Sequence, residues 1–184
     1  MININNAVQF QHLIWDRIMK SASVVVDATC GNGHDLLYLA ERAQPECHLY
    51  GIDIQEQAVS ASRELLASKK LQSNVTITFL HNSHDIALHQ EIKENTIDLI
   101  IFNLGYLPGG DHSIITRPHN TIEALNNAFP KLAKDGIITI VAYPGTPEGM
   151  EEKEALHKYI SQLDQAKYNV CLLYTSPSPR DRQK

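Results

Sequence analysis

Short β-branched runs ending in glycine-bearing or polar turns alternate along this chain with amphipathic stretches, and no other feature constrains the fold as tightly. Val24-Val25-Val26, within Ser23–Asp27, and Ile97-Asp-Leu-Ile-Ile-Phe-Asn103 are too uniformly apolar to leave a face in water. They read as strands buried on both sides. His48–Ile54, Val75–Leu80 and Gly136–Tyr143 read as further strands. Asp35–Arg42, Gln55–Lys70, a short segment at Asp85–Ile92, Thr121–Leu132 and Glu148–Gln165 have helical character, and Ala7–Lys20 precedes the first strand with apolar residues at helical spacing. Such alternation implies right-handed crossovers, hence α/β architecture: an open, mostly parallel sheet with helices on both faces.

A chain of 184 residues suits one domain. Its formal charge of −5 does not advertise a phosphate-binding surface, and Lys69–Lys70 and Lys131–Lys134 read as solvated helix faces. Cys30, Cys47 and Cys171 follow no metal or disulfide spacing and read as reduced thiols. The absence of a long apolar run or a basic leader sets the expectation of a cytoplasmic protein with no membrane partner. From Cys171 the character changes: Cys171-Leu-Leu-Tyr-Thr-Ser-Pro-Ser-Pro-Arg-Asp181 suits neither strand nor helix and resembles a translated sequencing adapter. The expected organisation is therefore a single domain over residues 1–170 and a non-native tail over 171–184.

In open α/β sheets, ligands sit beyond the carboxyl ends of the strands where the strand order reverses. The first strand runs into Asp27-Ala-Thr-Cys-Gly-Asn-Gly-His-Asp35, where Gly31 and Gly33 permit a tight turn and close approach of a ligand. Leu36 stands where a dinucleotide fingerprint has its third glycine, which disfavours a nicotinamide-cofactor oxidoreductase. Acidic residues around a Gly-x-Gly turn suit a ligand bearing an ammonium and a carboxylate, such as the methionine part of S-adenosylmethionine. Asp27, Thr29, Gly31, Asn32, Gly33 and Asp35 are the candidates for it. Asp53, roughly 20 residues on, is placed to accept from ribose hydroxyls or to cap the next helix, with Gln55 beside it. After the third strand, Ser83 and His84 are candidates for adenine. The histidines follow no recognised ligand spacing, and no metal site is expected.

The fourth strand ends in Asn103-Leu-Gly-Tyr106-Leu-Pro-Gly-Gly-Asp111-His112, which resembles the Asn-Pro-Pro-Tyr loop of amino-directed methyltransferases with Leu-Gly in place of Pro-Pro. Asn103 oxygen and the Leu104 carbonyl would accept from an NH₂ group and aim its lone pair at a sulfonium methyl, so the loop works by positioning. Asn103 thus belongs to both the catalytic and the cofactor-binding sets. Tyr106 would stack on a base or exclude water, and Asp111 or His112 would take the proton.

Taken together, Asp27–Asp35, the Ser83-His84 pair and Phe102-Asn103 through Asp111 resemble one bacterial methyltransferase family, formerly labelled rRNA methylase. Its members modify wobble uridine. The resemblance covers Ala7 to Val170. It implies a Rossmann-like class I fold, S-adenosyl-L-methionine as cofactor, and methylation of 5-aminomethyl-2-thiouridine at tRNA position 34, so the implied partner is the anticodon region of a tRNA. Where relatives carry Gly-His before Pro-x-Gly, this chain has Gly145-Thr146-Pro147. The family also continues with a C-terminal strand pair, which is expected to be missing here. Methylation of rRNA or of a small-molecule amine is the alternative, a homodimer is left open, and Lys20, Arg117 and Lys131 are candidates for a basic rim.

Overall fold

A computed structural model describes residues 7–72, 74–107, 109–110 and 114–174. Its strands are β1 (Val24–Asp27), β2 (His48–Asp53), β3 (Thr76–His81), β4 (Ile97–Asn103) and β5 (Leu132–Val141). The helices are α1 (Ala7–Ile18), α2 (His34–Ala40), α3 (Glu56–Ala67), α4 (His84–Ile86, continuing as a π-turn over Ala87–Glu91), α5 (Pro118–Ala128) and α6 (Pro147–Ile160). The sheet has the order β3-β2-β1-β4-β5, and every neighbouring pair is parallel. The chain starts at the centre, winds out to β3, then crosses back to β4, so the strand order reverses between β1 and β4.

The period of two along each strand sorts side chains onto two faces. Val26, Ile52, Ile100 and Phe102 pack with Leu88 and Leu125 on one face. Val25, Leu49, Leu99 and Ile101 pack on the other with Trp15, Leu36 and Leu39. β1 and β4 are therefore buried on both sides, the reason Val24–Val26 and Leu99–Phe102 are apolar without a break.

Element boundaries differ from the sequence reading most around α5 and β5. The fifth helix starts at Pro118 rather than Thr121, with proline in the first turn where its missing N–H costs nothing, and it ends at Ala128. Pro130 cannot continue it, so Phe129–Lys131 forms a 3₁₀ turn and β5 begins at Leu132, a residue the apolar periodicity had placed in the helix. Leu132 pairs with Ile97 across a register break, near Asp135 in the left-handed region at φ 67°. At its other end β5 stops at Val141, which leaves Tyr143 beyond the strand.

Helix α1 is part of the core. Trp15 is fully buried, and its Nε1 donates to Thr139 Oγ1 on β5 at 3.1 Å. No helix among the described residues is long and apolar enough to cross a membrane. Trp15→Ala is expected to lower the unfolding free energy by about 3–5 kcal/mol, the usual cost of emptying so large a buried site. Urea unfolding followed by circular dichroism checks this, and a loss below about 1 kcal/mol would show that α1 packs peripherally.

Candidate active site

A cavity of about 670 Å³ opens beyond the carboxyl ends of the strands, at the reversal between β1 and β4. That volume suits a cofactor-sized ligand. Its floor is the turn after β1. Cys30 N donates to Ile52 O at 2.8 Å and Gly31 N to Asp53 Oδ2 at 3.0 Å, so the turn is held by the neighbouring strand. Gly31 and Gly33 have φ of 50° and 83°, and a Cβ on Gly33 would lie 2.8 Å from the Ser62 backbone. Gly33 thus serves the close packing of α2 on α3 and does not line the cavity. Asp27 is also behind the wall, buried, with Oδ1 accepting from Thr29 N at 3.2 Å. Thr29, Gly31, Asn32 and Asp35 do line it.

Asp53 and Gln55 close one side. Asp53 Oδ1 accepts from Gln55 N at 2.9 Å, while the residue preceding α3 as its cap is Gln55, so Asp53 bridges two turns rather than capping the helix. Burial raises the pKa of Asp53, against the lowering by backbone N–H groups. Asp27 is pushed well above the usual carboxylate range, first by burial and then by the charge of Asp35, with Asp53 adding to it. Three carboxyl groups gathered around one turn, Asp27, Asp35 and Asp53, make a place where a cationic ligand is welcome.

Ser83 and His84 stand on the side of α4. The Ser83 hydroxyl donates to Asp85 and accepts from Asn120 Nδ2 at 3.3 Å, so it ties α4 to α5. His84 is 8% exposed, and burial pushes its pKa down to about 4, so the ring is neutral. Its Nε2 is buried and has no hydrogen-bond partner among the described residues. Asn103 shows the same pattern. Its backbone N donates to Thr29 Oγ1 at 2.7 Å and its Nδ2 to Asp35 Oδ2 at 2.7 Å, yet Oδ1 is buried and unpartnered among the described residues. Native proteins seldom leave buried polar atoms in this state unless a ligand completes them. With the acidic floor and Asp53 near the first turn, these atoms fit S-adenosylmethionine, a cation with an adenine and a diol.

The loop after β4 forms the outer wall. Gly105 N donates to Thr116 Oγ1 at 2.9 Å, Thr116 N donates back to Gly105 O at 3.1 Å, and Tyr106 bridges to Ile115. The fully enclosed Glu152 of α6 accepts from Thr116 Oγ1 at 2.6 Å and from Thr121 Oγ1 at 2.8 Å. Tyr106 and Tyr143, 44% and 52% exposed, stand at the mouth, and burial together with the charge of Asp35 raises the Tyr143 pKa. Asp111 and His112 lie outside the described residues. Thr146 caps α6, accepting from Gly149 N at 3.1 Å. Arg117 lines the cavity, whereas Lys131 donates to the Leu88 and Ile92 carbonyls and so closes the π-turn.

The sequence reading missed Tyr143, Thr116, Glu152 and His12, whose Nε2 lies 3.1 Å from Asp35 Oδ1. Tyr143 was findable, since it follows a strand end, where ligands are expected. The other three carry no local signal.

Known proteins agree with this architecture. The family described as "Putative rRNA methylase" matches residues 49–182. A protein of the same description from Clostridium thermocellum is 38% identical, with a TM-score of 0.81, over 89% of this chain and 86% of its own. A Streptococcus mutans protein solved in complex with SAH is 31% identical, with a TM-score of 0.81, over 96% of this chain and 92% of its own. The chloroplastic tRNA (mnm(5)s(2)U34)-methyltransferase of Arabidopsis thaliana is 32% identical over 171 residues, which are 90% of this chain and 62% of that protein. With the cavity at the strand reversal and its bare acceptors, these likenesses place the chain in that rRNA methylase family, on the class I fold of S-adenosylmethionine-dependent methyltransferases.

Proposed function

We propose that this chain transfers a methyl group from S-adenosylmethionine to the aminomethyl nitrogen of 5-aminomethyl-2-thiouridine at the wobble position of a tRNA. The observation that carries the reading is Asn103, whose carboxamide nitrogen is committed to Asp35 while its oxygen stays bare and buried in the cavity. The Arabidopsis relative, a tRNA (mnm(5)s(2)U34)-methyltransferase, suggests the substrate class. The cofactor supplies an electrophilic methyl on a sulfonium. Asn103 Oδ1 and the Leu104 carbonyl accept the two N–H groups of the target and direct its lone pair. Leu104 is held for this by donating its own N–H to Val141 O at 2.9 Å. An amine attacks only when neutral, and burial behind the tyrosine-lined mouth favours that form. Tyr106 and Tyr143 offer aromatic faces to a pyrimidine drawn out of the anticodon loop. Asp111 and His112 stay the sequence-based candidates for the proton acceptor.

For the cofactor, the reading gives Asp53 the ribose hydroxyls and the neutral His84 Nε2 the adenine amino group, with Thr29, Gly31, Asn32, Asp35 and Gln55 around the rest. Asp27 and Gly33 support the turn from behind. A cytoplasmic location accords with a tRNA substrate. Residues 1–170 are read as the methyltransferase unit and 171–184 as a foreign tail. That division rests on composition and on Cys171–Tyr174, which are exposed and in no helix or strand, although the family match runs to residue 182.

Two outcomes are expected. Nucleoside mass spectrometry of tRNA bearing 5-aminomethyl-2-thiouridine, incubated with cofactor and protein, should show a gain of one methyl, and Asn103→Ala should slow it by about 100-fold. No gain from folded, cofactor-binding protein would overturn the wobble assignment and favour another amine. The second concerns acid stability. Unfolded His84 takes its proton at the ordinary pKa of 6.5, whereas the folded ring resists it down to about 4. Its contribution is therefore complete above pH 6.5 and falls by about 3 kcal/mol as pH drops to 4. His84→Gln should flatten that part of the stability–pH curve in urea titrations, and parallel curves would show that the folded ring protonates freely.

A further inference from the structure

Asn103 serves as an acceptor only while its carboxamide oxygen faces the cavity. A carboxamide has two nearly isosteric orientations, and nothing within the side chain chooses between them. The neighbour must choose. Asp35 Oδ2 lies 2.7 Å from Asn103 Nδ2, and an ionised carboxylate only accepts hydrogen bonds. Reversing the amide would set oxygen against oxygen at that distance, so Asp35 fixes which atom is left for the target.

Asp35 is itself oriented from outside the sheet. Its other oxygen, Oδ1, accepts from His12 Nε2 at 3.1 Å. His12 is carried by α1 and has little freedom to turn. Its ring stacks on Tyr38 at 3.7 Å and lies against Trp15 at 4.9 Å. The Tyr38 ring is covered by the Arg42 guanidinium at 3.4 Å, and its hydroxyl donates to Asp16 of α1 at 2.7 Å. The rings thus form a column from the surface between α1 and α2 to the Asp35 carboxylate.

We infer that His12 is a positioning residue for methyl transfer, acting through Asp35 to hold the Asn103 oxygen toward the target nitrogen. The inference rests on the reading of Asn103 as the acceptor for that nitrogen. It also gives Asp35 a task besides any contact with the cofactor, since both of its oxygens are engaged by the protein. It assigns α1 a role in the chemistry as well as in the core.

The test compares His12→Phe, which keeps a ring on Tyr38 but has no N–H, with His12→Gln, which keeps a donor. Side-chain amide exchange of Asn103, followed by ¹⁵N NMR and assigned with Asn103→Ala, reads the Asp35 bond without substrate. His12→Phe should speed that exchange and lower kcat by about 10-fold, with KM for tRNA and cofactor within about twofold of wild type, because misorientation affects the transition state rather than ground-state binding. His12→Gln should recover most of both losses. Asp35→Asn, which removes the acceptor-only group, should abolish the slow exchange and lower kcat by about 100-fold. The inference is overturned if folded His12→Phe leaves the amide exchange unchanged, if both His12 variants are impaired equally, or if the loss lies wholly in KM. A wild-type chain inactive on this tRNA would overturn the substrate reading alone, and the amide exchange would still decide the positioning.

Discussion

Parallel pairing of β1 with β4 is the constraint on which the site depends. These strands are separated in the sequence by β2 and β3, yet Asp27 lies beside Ile101, so both release their chains at the same level of the sheet. Ala28 N extends the ladder by donating to Ile101 O at 2.9 Å, and Thr29 Oγ1 accepts from Asn103 N at 2.7 Å. The glycine turn and the Asn103 loop are thereby two edges of one opening. Helices on either face can approach the opening but cannot fill it, because their connections diverge to opposite sides at this point.

The two edges are braced differently, and the difference follows from chemistry. The glycine turn is held by backbone groups and Asp53, as suits a surface that must come close to a ligand. The Asn103 loop is held by Glu152, a carboxylate taken out of water. Hydroxyl groups of Thr116 and Thr121 replace its hydration, each bond to the charged group contributing on the order of 1.5–3 kcal/mol. Removing either hydroxyl would leave that charge short of a partner, so α6 and the loop are coupled through a group that tolerates little rearrangement.

Much of this was legible in the sequence. The order of strands and helices follows from apolar periodicity, and the strand-end rule located Asn103, Asp53, His84 and the glycine turn. The errors have physical causes. Leu132 continues a helical apolar pattern, and only Pro130 and the pairing with Ile97 take it into β5. Asp27 was read as a ligand contact because acidic residues open such turns, whereas its side chain faces Thr29 N from beneath. His12 and Glu152 were invisible because their importance lies in what they meet, across 23 residues to Asp35 and 36 to Thr116. Local pattern carries no information on such meetings.

Trp15 is the only tryptophan in the chain, and it sits against the His12 ring in the interior, joined to Thr139. The molecule therefore carries a native optical reporter on the helix that reaches the active site. Its emission colour follows the polarity around one indole, so a shift to the red would register water reaching the contact between α1 and β5. Opening of the contact between α1 and β5 can be watched at this single position without attaching a dye.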